Sequence, residues 1–158
     1  MSGIIGGVGA RSGVIGTTEL DYEEGIYSVT TYMGGSGSWT LGTYYQLSYT
    51  KIGRLVTVMG ELRCTAVSSP VGSCSFSLPF VPATLATNDL ALAHRPGFGV
   101  KTHQFNFGSG MTQMAAIIYM NGTAKVYLYG QANNANSLDA IPDAGNELGL
   151  NFSYVTDQ

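Results

Sequence analysis

Residues 115–130 read AAIIYMNGTAKVYLYG, and this stretch decides the class of fold. Asn121-Gly122 separates two runs that are rich in β-branched and aromatic residues, which is the strongest short signal for a β-hairpin. A two-residue type I′ turn places Ile117 opposite Val126, so these side chains are expected to face the core. The same turn also pairs Ala115 with Leu128. The other face of the hairpin then carries Ile118, Lys125, Tyr127 and Tyr129.

Similar strand-like runs recur along the chain at spacings of about 8–12 residues, as in sandwiches and barrels. They are 26–32, 43–50, 55–64, 71–78, 99–107, 113–120, 124–130 and 148–155. The 22 glycines and the shortage of Lys, Glu and Arg also favour strands and turns over helices. We predict an all-β fold, an antiparallel β-sandwich of jelly-roll type, in a single domain over residues 26–158.

A second hairpin is predicted to turn at Ser69, which sets Cys64 opposite Cys74. The same fold pairs Leu62 with Phe76 and Gly60 with Leu78. The predicted core face then consists of the even positions Val56, Val58, Gly60, Leu62, Cys64, Cys74, Phe76, Leu78 and Phe80. Cross-strand cysteines are within reach of a disulfide, whereas buried free thiols are the usual state in a cytoplasmic product. Both states stay open at this point.

The charge and the lengths of the apolar runs argue against two classes of partner, nucleic acids and membranes. Charged residues make up 11% of the chain and the net charge is −3, without a run of Lys or Arg. Nucleic-acid binding, which rests on neutralising phosphates, is therefore not expected. Apolar residues never continue for the roughly 18 positions that a membrane-spanning helix needs, and no signal peptide is recognisable. The low surface charge suggests a surface covered by a partner.

Residues 2–16, SGIIGGVGARSGVIG, form a glycine-rich duplication. The glycine spacing, without a preceding strand or a following helix, does not fit a phosphate-binding loop. We predict that residues 1–25 form an extended docking arm, which adds a strand to the sheet edge of another polypeptide. Its predicted partner-binding residues are Ile4, Ile5, Arg11, Val14, Ile15, Leu20 and Tyr22.

Residues that could carry chemistry are sparse. His94 and His103 are too few for a structural zinc site and are expected in a solvated loop or a small basic contact. Glu61 lies alone on the polar face of a predicted strand, and no G-x-S-x-G motif occurs. We predict no catalytic residue, no metal and no cofactor, so the chain is not expected to be an enzyme.

Aromatic residues offer a different kind of site. Trp39, Tyr44 and Tyr45, with Tyr127 and Tyr129, could form a sugar-stacking platform or a subunit interface. Ordinary packing of tyrosine within strands is the simpler interpretation of the same pattern. The sequence leaves these alternatives open.

The arm with four later segments resembles small virion proteins of tailed bacteriophages. These segments are 42–45 (GTYY), 49–53 (YTKIG), 56–60 (VTVMG) and 75–80 (SFSLPF). The resemblance implies a capsid cement (decoration) protein, made in the host cytoplasm, that forms a homotrimer on the virion surface. The arm would then bind the major capsid protein. The alternative is a tail-fibre module in which the surface around Trp39 recognises a host glycan.

Overall fold

A computed structural model describes residues 21–84, 97–104, 111–132 and 138–157. Within these ranges, every helix or strand element is a β-strand. The strands are β1 (Tyr22–Ser28), β2 (Thr31–Met33), β3 (Ser38–Leu41), β4 (Gln46–Ile52), β5 (Leu55–Ser68), β6 (Cys74–Ser77), β7 (Gly97–Gly99), β8 (Lys101–His103), β9 (Met111–Ile118), β10 (Lys125–Ala132), β11 (Leu138–Asp139) and β12 (Glu147–Val155).

The strands form two antiparallel sheets. The first sheet has the order β1-β4-β5-β12-β8, with β3 also paired to β5. The second has the order β2-β6-β10-β9-β7, with β11 also paired to β10. Both sheets contribute to one core, across which the rings of Phe98 in β7 and Phe152 in β12 stack with centroids 4.3 Å apart. The predicted antiparallel β-sandwich is confirmed, and its jelly-roll connectivity stays a prediction.

Alternation of buried and exposed positions builds this core. In β5, Val56, Val58, Leu62 and Cys64 are buried, while the odd-numbered residues between them face away. Successive side chains of a strand point to opposite faces of a sheet, so one inward row per strand suffices to fill the space between the sheets. Burying apolar area from both sheets is the main force that holds them together.

The pairing within the opening hairpin differs from the prediction. Val126 lies opposite Ile118, and Leu128 lies opposite Ala116. Both predicted pairings are therefore wrong by one residue, so Ile118 faces the core and Ile117 faces outward. The orientation of β10 is as predicted, because the one-residue slip changes the faces of β9 only.

The connection between β9 and β10 explains the slip. It spans residues 119–124 instead of the two residues of a type I′ turn. Gly122 has a φ of +79°, but Asn121 does not share the positive φ that a type I′ turn requires. Asn121 instead accepts a hydrogen bond from the backbone N–H of Thr123 (3.1 Å), and Met120 is buried in the core. Burial of Met120 favours the wider loop.

The second predicted hairpin is also wrong. The strand β5 pairs with β3, β4 and β12, whereas β6 pairs with β2 and β10 in the opposite sheet. Cys64 and Cys74 therefore belong to different sheets, and neither Leu62–Phe76 nor Gly60–Leu78 is a strand pair. The predicted core face nevertheless holds at Val56, Val58, Leu62, Cys64, Cys74, Phe76 and Leu78. Buried and exposed residues alternate in the same way whether two strands pair within one sheet or face each other across two packed sheets.

Both cysteines are free and buried. Burial raises the pKa of Cys74 to about 12, and the nearby Cys64 and Asp139 add to the effect. Burial also raises the pKa of Cys64. The reactive thiolate form is therefore scarce at neutral pH.

We expect neither thiol to react with Ellman's reagent in the folded protein at pH 8, and both to react quickly in 6 M guanidinium chloride. Titration of thiols in the two conditions measures this. One thiol reacting rapidly at pH 8 in the folded chain would contradict the burial described above.

The first strand begins inside the segment that was assigned to the arm. Tyr22 pairs with Ile52, and the carbonyl of Asp21 accepts a hydrogen bond from the N–H of Gly53 (2.7 Å). Residues 22–25 therefore belong to the first sheet, with the Tyr22 side chain 53% exposed on its outer face. The other predicted arm residues, Ile4, Ile5, Arg11, Val14, Ile15 and Leu20, lie outside the described residues, and their role stays a prediction.

In the described part of the chain, no helix has the length and apolarity needed to span a bilayer.

Candidate functional site

The aromatic residues predicted as a ligand platform are divided by the fold. Trp39 is 2% exposed and belongs to the core. Its Nε1–H donates a hydrogen bond to the carbonyl of Tyr32 (3.1 Å), and its own carbonyl accepts one from the hydroxyl of Thr31 (2.6 Å). Tyr44 and Tyr45, just before β4, are 47% and 43% exposed. The Trp39 ring is therefore not available for stacking on a ligand.

A larger aromatic group lies on the outer face of the second sheet. The strand register aligns Tyr32 of β2, Ser75 of β6, Tyr127 of β10 and Ile117 of β9 in one row across the sheet. Tyr129 follows two residues after Tyr127, and therefore on the same face. We call Tyr32, Tyr119, Tyr127 and Tyr129 the tyrosine surface.

Direct contacts hold three of these rings, those of Tyr119, Tyr127 and Tyr129, in place. The rings of Tyr119 and Tyr127 meet edge to face, with centroids 4.9 Å apart and an interplanar angle of 88°. The hydroxyl oxygens of Tyr119 and Tyr129 lie 3.2 Å apart, within hydrogen-bond distance. Edge-to-face aromatic pairs contribute about 0.5–1.5 kcal/mol beyond the area that they bury. The surface is therefore ordered before any ligand arrives.

The hydroxyl of Tyr129 keeps its proton over the physiological range. The pKa of Tyr129 is raised to about 12, mainly by burial and in addition by the hydrogen bond with Tyr119. A neutral phenol can both donate and accept hydrogen bonds, as recognition of a hydroxyl-rich ligand requires.

Polar side chains lie at the margins of the tyrosine surface. Lys125 Nζ is 4.0 Å from the centroid of the Tyr32 ring. Near the opposite end, the Gln113 amide N–H donates a hydrogen bond to the side-chain oxygen of Gln131. Asp139 of β11 lies directly opposite Tyr129 of β10 in the strand pairing. Aromatic faces flanked by amides, hydroxyls and a charge can bind a flat polar molecule by stacking and hydrogen bonding.

A charged cluster lies on the outer face of the first sheet. Glu147 of β12 pairs with His103 Nδ1 (2.9 Å) and with Arg63 Nε (3.8 Å), and Glu61 and Lys101 line the same shallow depression. Two basic partners hold the Glu147 carboxylate, which links β5, β12 and β8. His94, the other histidine, lies outside the described residues. Over the ranges that the structure describes, no group of three His, Cys, Asp or Glu residues is arranged to hold a metal ion.

No protein-family model and no curated protein sequence matches this chain. Comparison with solved structures does find a match for the sandwich. The chain shares its fold with part of a tailspike. The crystal structure of the Dettilon tailspike protein (gp208) superposes with a TM-score of 0.66 at 16% sequence identity. The match covers 85% of this chain and 23% of the tailspike chain, so the chain spans about a quarter of that protein. At this identity, the likeness to the tailspike concerns the fold.

Sequence patterns indicated half of the tyrosine surface. Lys125, Tyr127 and Tyr129 occur at alternate positions, which placed them on one face of the opening hairpin. Tyr32 could not be added, because β2 reaches this face only through its pairing with β6. Tyr119 lies in the connection between β9 and β10, whose length the type I′ signal at Asn121-Gly122 does not predict.

Proposed function

We propose that this chain is a structural module of a phage tail, a spike or a fibre, whose tyrosine surface binds a glycan of the host cell. The fold shared with part of a tailspike supports the tail assignment, as does the sequence resemblance to small phage virion proteins. The module is then a component of the virion.

The observation that carries the binding role is the ordered tyrosine surface. Sugar rings have apolar faces edged by hydroxyls, and rigid tyrosines offer both an apolar ring and a hydroxyl at low entropic cost. The surface is a sheet face and not a deep cleft, so each copy is expected to bind weakly. A homotrimer, which the sequence resemblance implies, would multiply the weak sites into strong attachment to a repetitive polysaccharide.

Tyr127→Ala tests this role, since Tyr127 lies centrally on the surface and supports Tyr119. We expect binding to the cognate polysaccharide, identified from a panel of purified bacterial surface polysaccharides, to weaken at least about ten-fold. Isothermal titration calorimetry or glycan-array binding measures the change, and circular dichroism checks the fold.

Two matched variants control this experiment. Tyr127→Phe keeps the ring and should retain most of the affinity, whereas Tyr45→Ala removes an exposed tyrosine elsewhere and should change nothing. Wild-type binding by Tyr127→Ala would contradict the assigned site. The absence of binding by the wild-type chain to the whole panel would count against the glycan-binding role.

A capsid cement protein is the second candidate, favoured by the sequence resemblance and by an exposed apolar row. Its members lie side by side at one end of the first sheet and are Tyr22, Ile52, Leu55 and Val155. Such a row suits contact with another protein, which for a cement protein is the major capsid protein. Quantitative mass spectrometry of purified virions separates the candidates, because hundreds of copies per particle indicate cement and tens or fewer indicate a tail protein.

A further inference from the structure

Lys125 holds a defined position on the tyrosine surface. It lies in β10 opposite Ser77 of β6, and it is partly buried. Its ammonium group, 4.0 Å from the ring centroid of Tyr32, makes a cation–π contact. The charge is thus fixed at the edge of the rings and does not move freely in solvent.

The surroundings of Lys125 differ from those of the other lysine and arginine side chains that the structure describes. Lys51 pairs with Asp21, Arg54 with Asp157 and Arg63 with Glu147. Lys101 lines a depression together with two glutamates, Glu61 and Glu147. Among the residues that the structure describes, no carboxylate forms an ion pair with Lys125 within 4.0 Å.

A partly buried ammonium group that has no acidic partner among the described residues favours an anionic ligand. A single fixed cation matches a single negative charge, such as a carboxylate, better than the charge of about −1.5 to −2 on a phosphate monoester. Asp139 lies beside Tyr129, about four residues or 13 Å along the sheet from Lys125. This carboxylate disfavours a second anionic group at its end of the surface.

We propose that the bound glycan carries a carboxylate-bearing sugar, a hexuronate or a sialate, whose carboxylate pairs with Lys125 while neutral sugars lie toward Asp139. The proposal rests on the proposed glycan-binding function and specifies its ligand class. It favours a heteropolysaccharide with spaced acidic sugars over a polymer in which every sugar is charged.

The test uses the full chain and matched pairs of polysaccharides. Each acidic bacterial surface polysaccharide in the panel is prepared in native form and in carboxyl-reduced form, in which the acid becomes a neutral alcohol. We expect the cognate polysaccharide to lose about ten-fold in affinity on reduction, consistent with a charge-assisted hydrogen bond. Its native form should also bind more weakly as salt concentration rises.

Lys125→Met locates the effect, because methionine keeps an apolar, unbranched side chain without the charge. This variant should bind the native polysaccharide about ten-fold more weakly than wild type and the reduced form equally well. Lys101→Met, which removes the same charge from the other sheet, should leave both affinities unchanged.

Three outcomes would overturn the proposal: equal affinity for the native and reduced forms, binding of neutral polysaccharides alone, or equal losses for the two lysine variants. If Tyr127→Ala still weakens binding at least about ten-fold in these cases, the glycan-binding function stands and only the acidic ligand class is wrong. If no polysaccharide of the panel binds, both proposals fail.

Discussion

Replacement of Trp39 by alanine is expected to lower the free energy of unfolding by about 3–5 kcal/mol. The indole, carried by β3, is 2% exposed and belongs to the core. Its removal leaves a large cavity and removes the hydrogen bond that the Nε1–H of Trp39 donates to the carbonyl of Tyr32. Urea denaturation followed by far-ultraviolet circular dichroism measures the loss.

Two further variants separate packing from hydrogen bonding at this position. Trp39→Phe keeps much of the ring but not its N–H donor, so we expect a smaller cost of about 1–3 kcal/mol. Tyr44→Ala removes an exposed aromatic residue, and its effect should stay within about 0.5 kcal/mol. A stable Trp39→Ala variant that had lost glycan binding would contradict the buried position and restore Trp39 as a ligand residue.

The second large effect is expected at Gly37, in the turn between β2 and β3. Gly37 has a φ of +88°, and a Cβ atom there would lie less than 3.0 Å from the carbonyl oxygens of Ser68 and Ser69. These are backbone atoms at the end of β5, so no side-chain rotation can relieve the contact. We expect Gly37→Ala to destabilise the fold by about 3 kcal/mol, combining backbone strain with overpacking.

Gly53→Ala is the matched control, because Gly53 also has a positive φ, +56°, but a Cβ atom there meets nothing within 4 Å. Its expected cost is the conformational strain alone, about 1 kcal/mol. Thermal denaturation of both variants under identical conditions gives the comparison. Equal costs at the two positions would show that contact with β5 does not limit residue 37.

At the candidate site, the features that depend on local pattern were predicted correctly, and those that depend on long-range strand pairing were not. Alternation correctly placed Lys125, Tyr127 and Tyr129 on one outward face, because the orientation of side chains within a strand depends only on its own backbone. The neighbouring β9 was placed wrongly, since its register depends on a loop that keeps Met120 in the core. A shift of one residue in that loop exchanges the faces of the whole strand.

At Trp39, the local sequence itself was misleading. Its neighbours in sequence, 34–38 (GGSGS), are typical of an exposed loop, and this suggested an accessible ring. The ring is buried because β3 pairs with the far end of β5, with Trp39 opposite Val67. Composition near a residue does not reveal which strand it will contact.

The sequence alone determined that the chain forms strands, that these strands pack as an antiparallel sandwich, and which side chains of β5 and β6 face inward. These properties follow from the two-residue period of a strand, which each segment carries within itself. Only the tertiary structure decided that Cys64 and Cys74 lie in opposite sheets and that Tyr32 joins Tyr127. Strand partners are chosen by the joint burial of apolar faces from distant segments, and an inward-facing row packs equally well beside a neighbour or across the core.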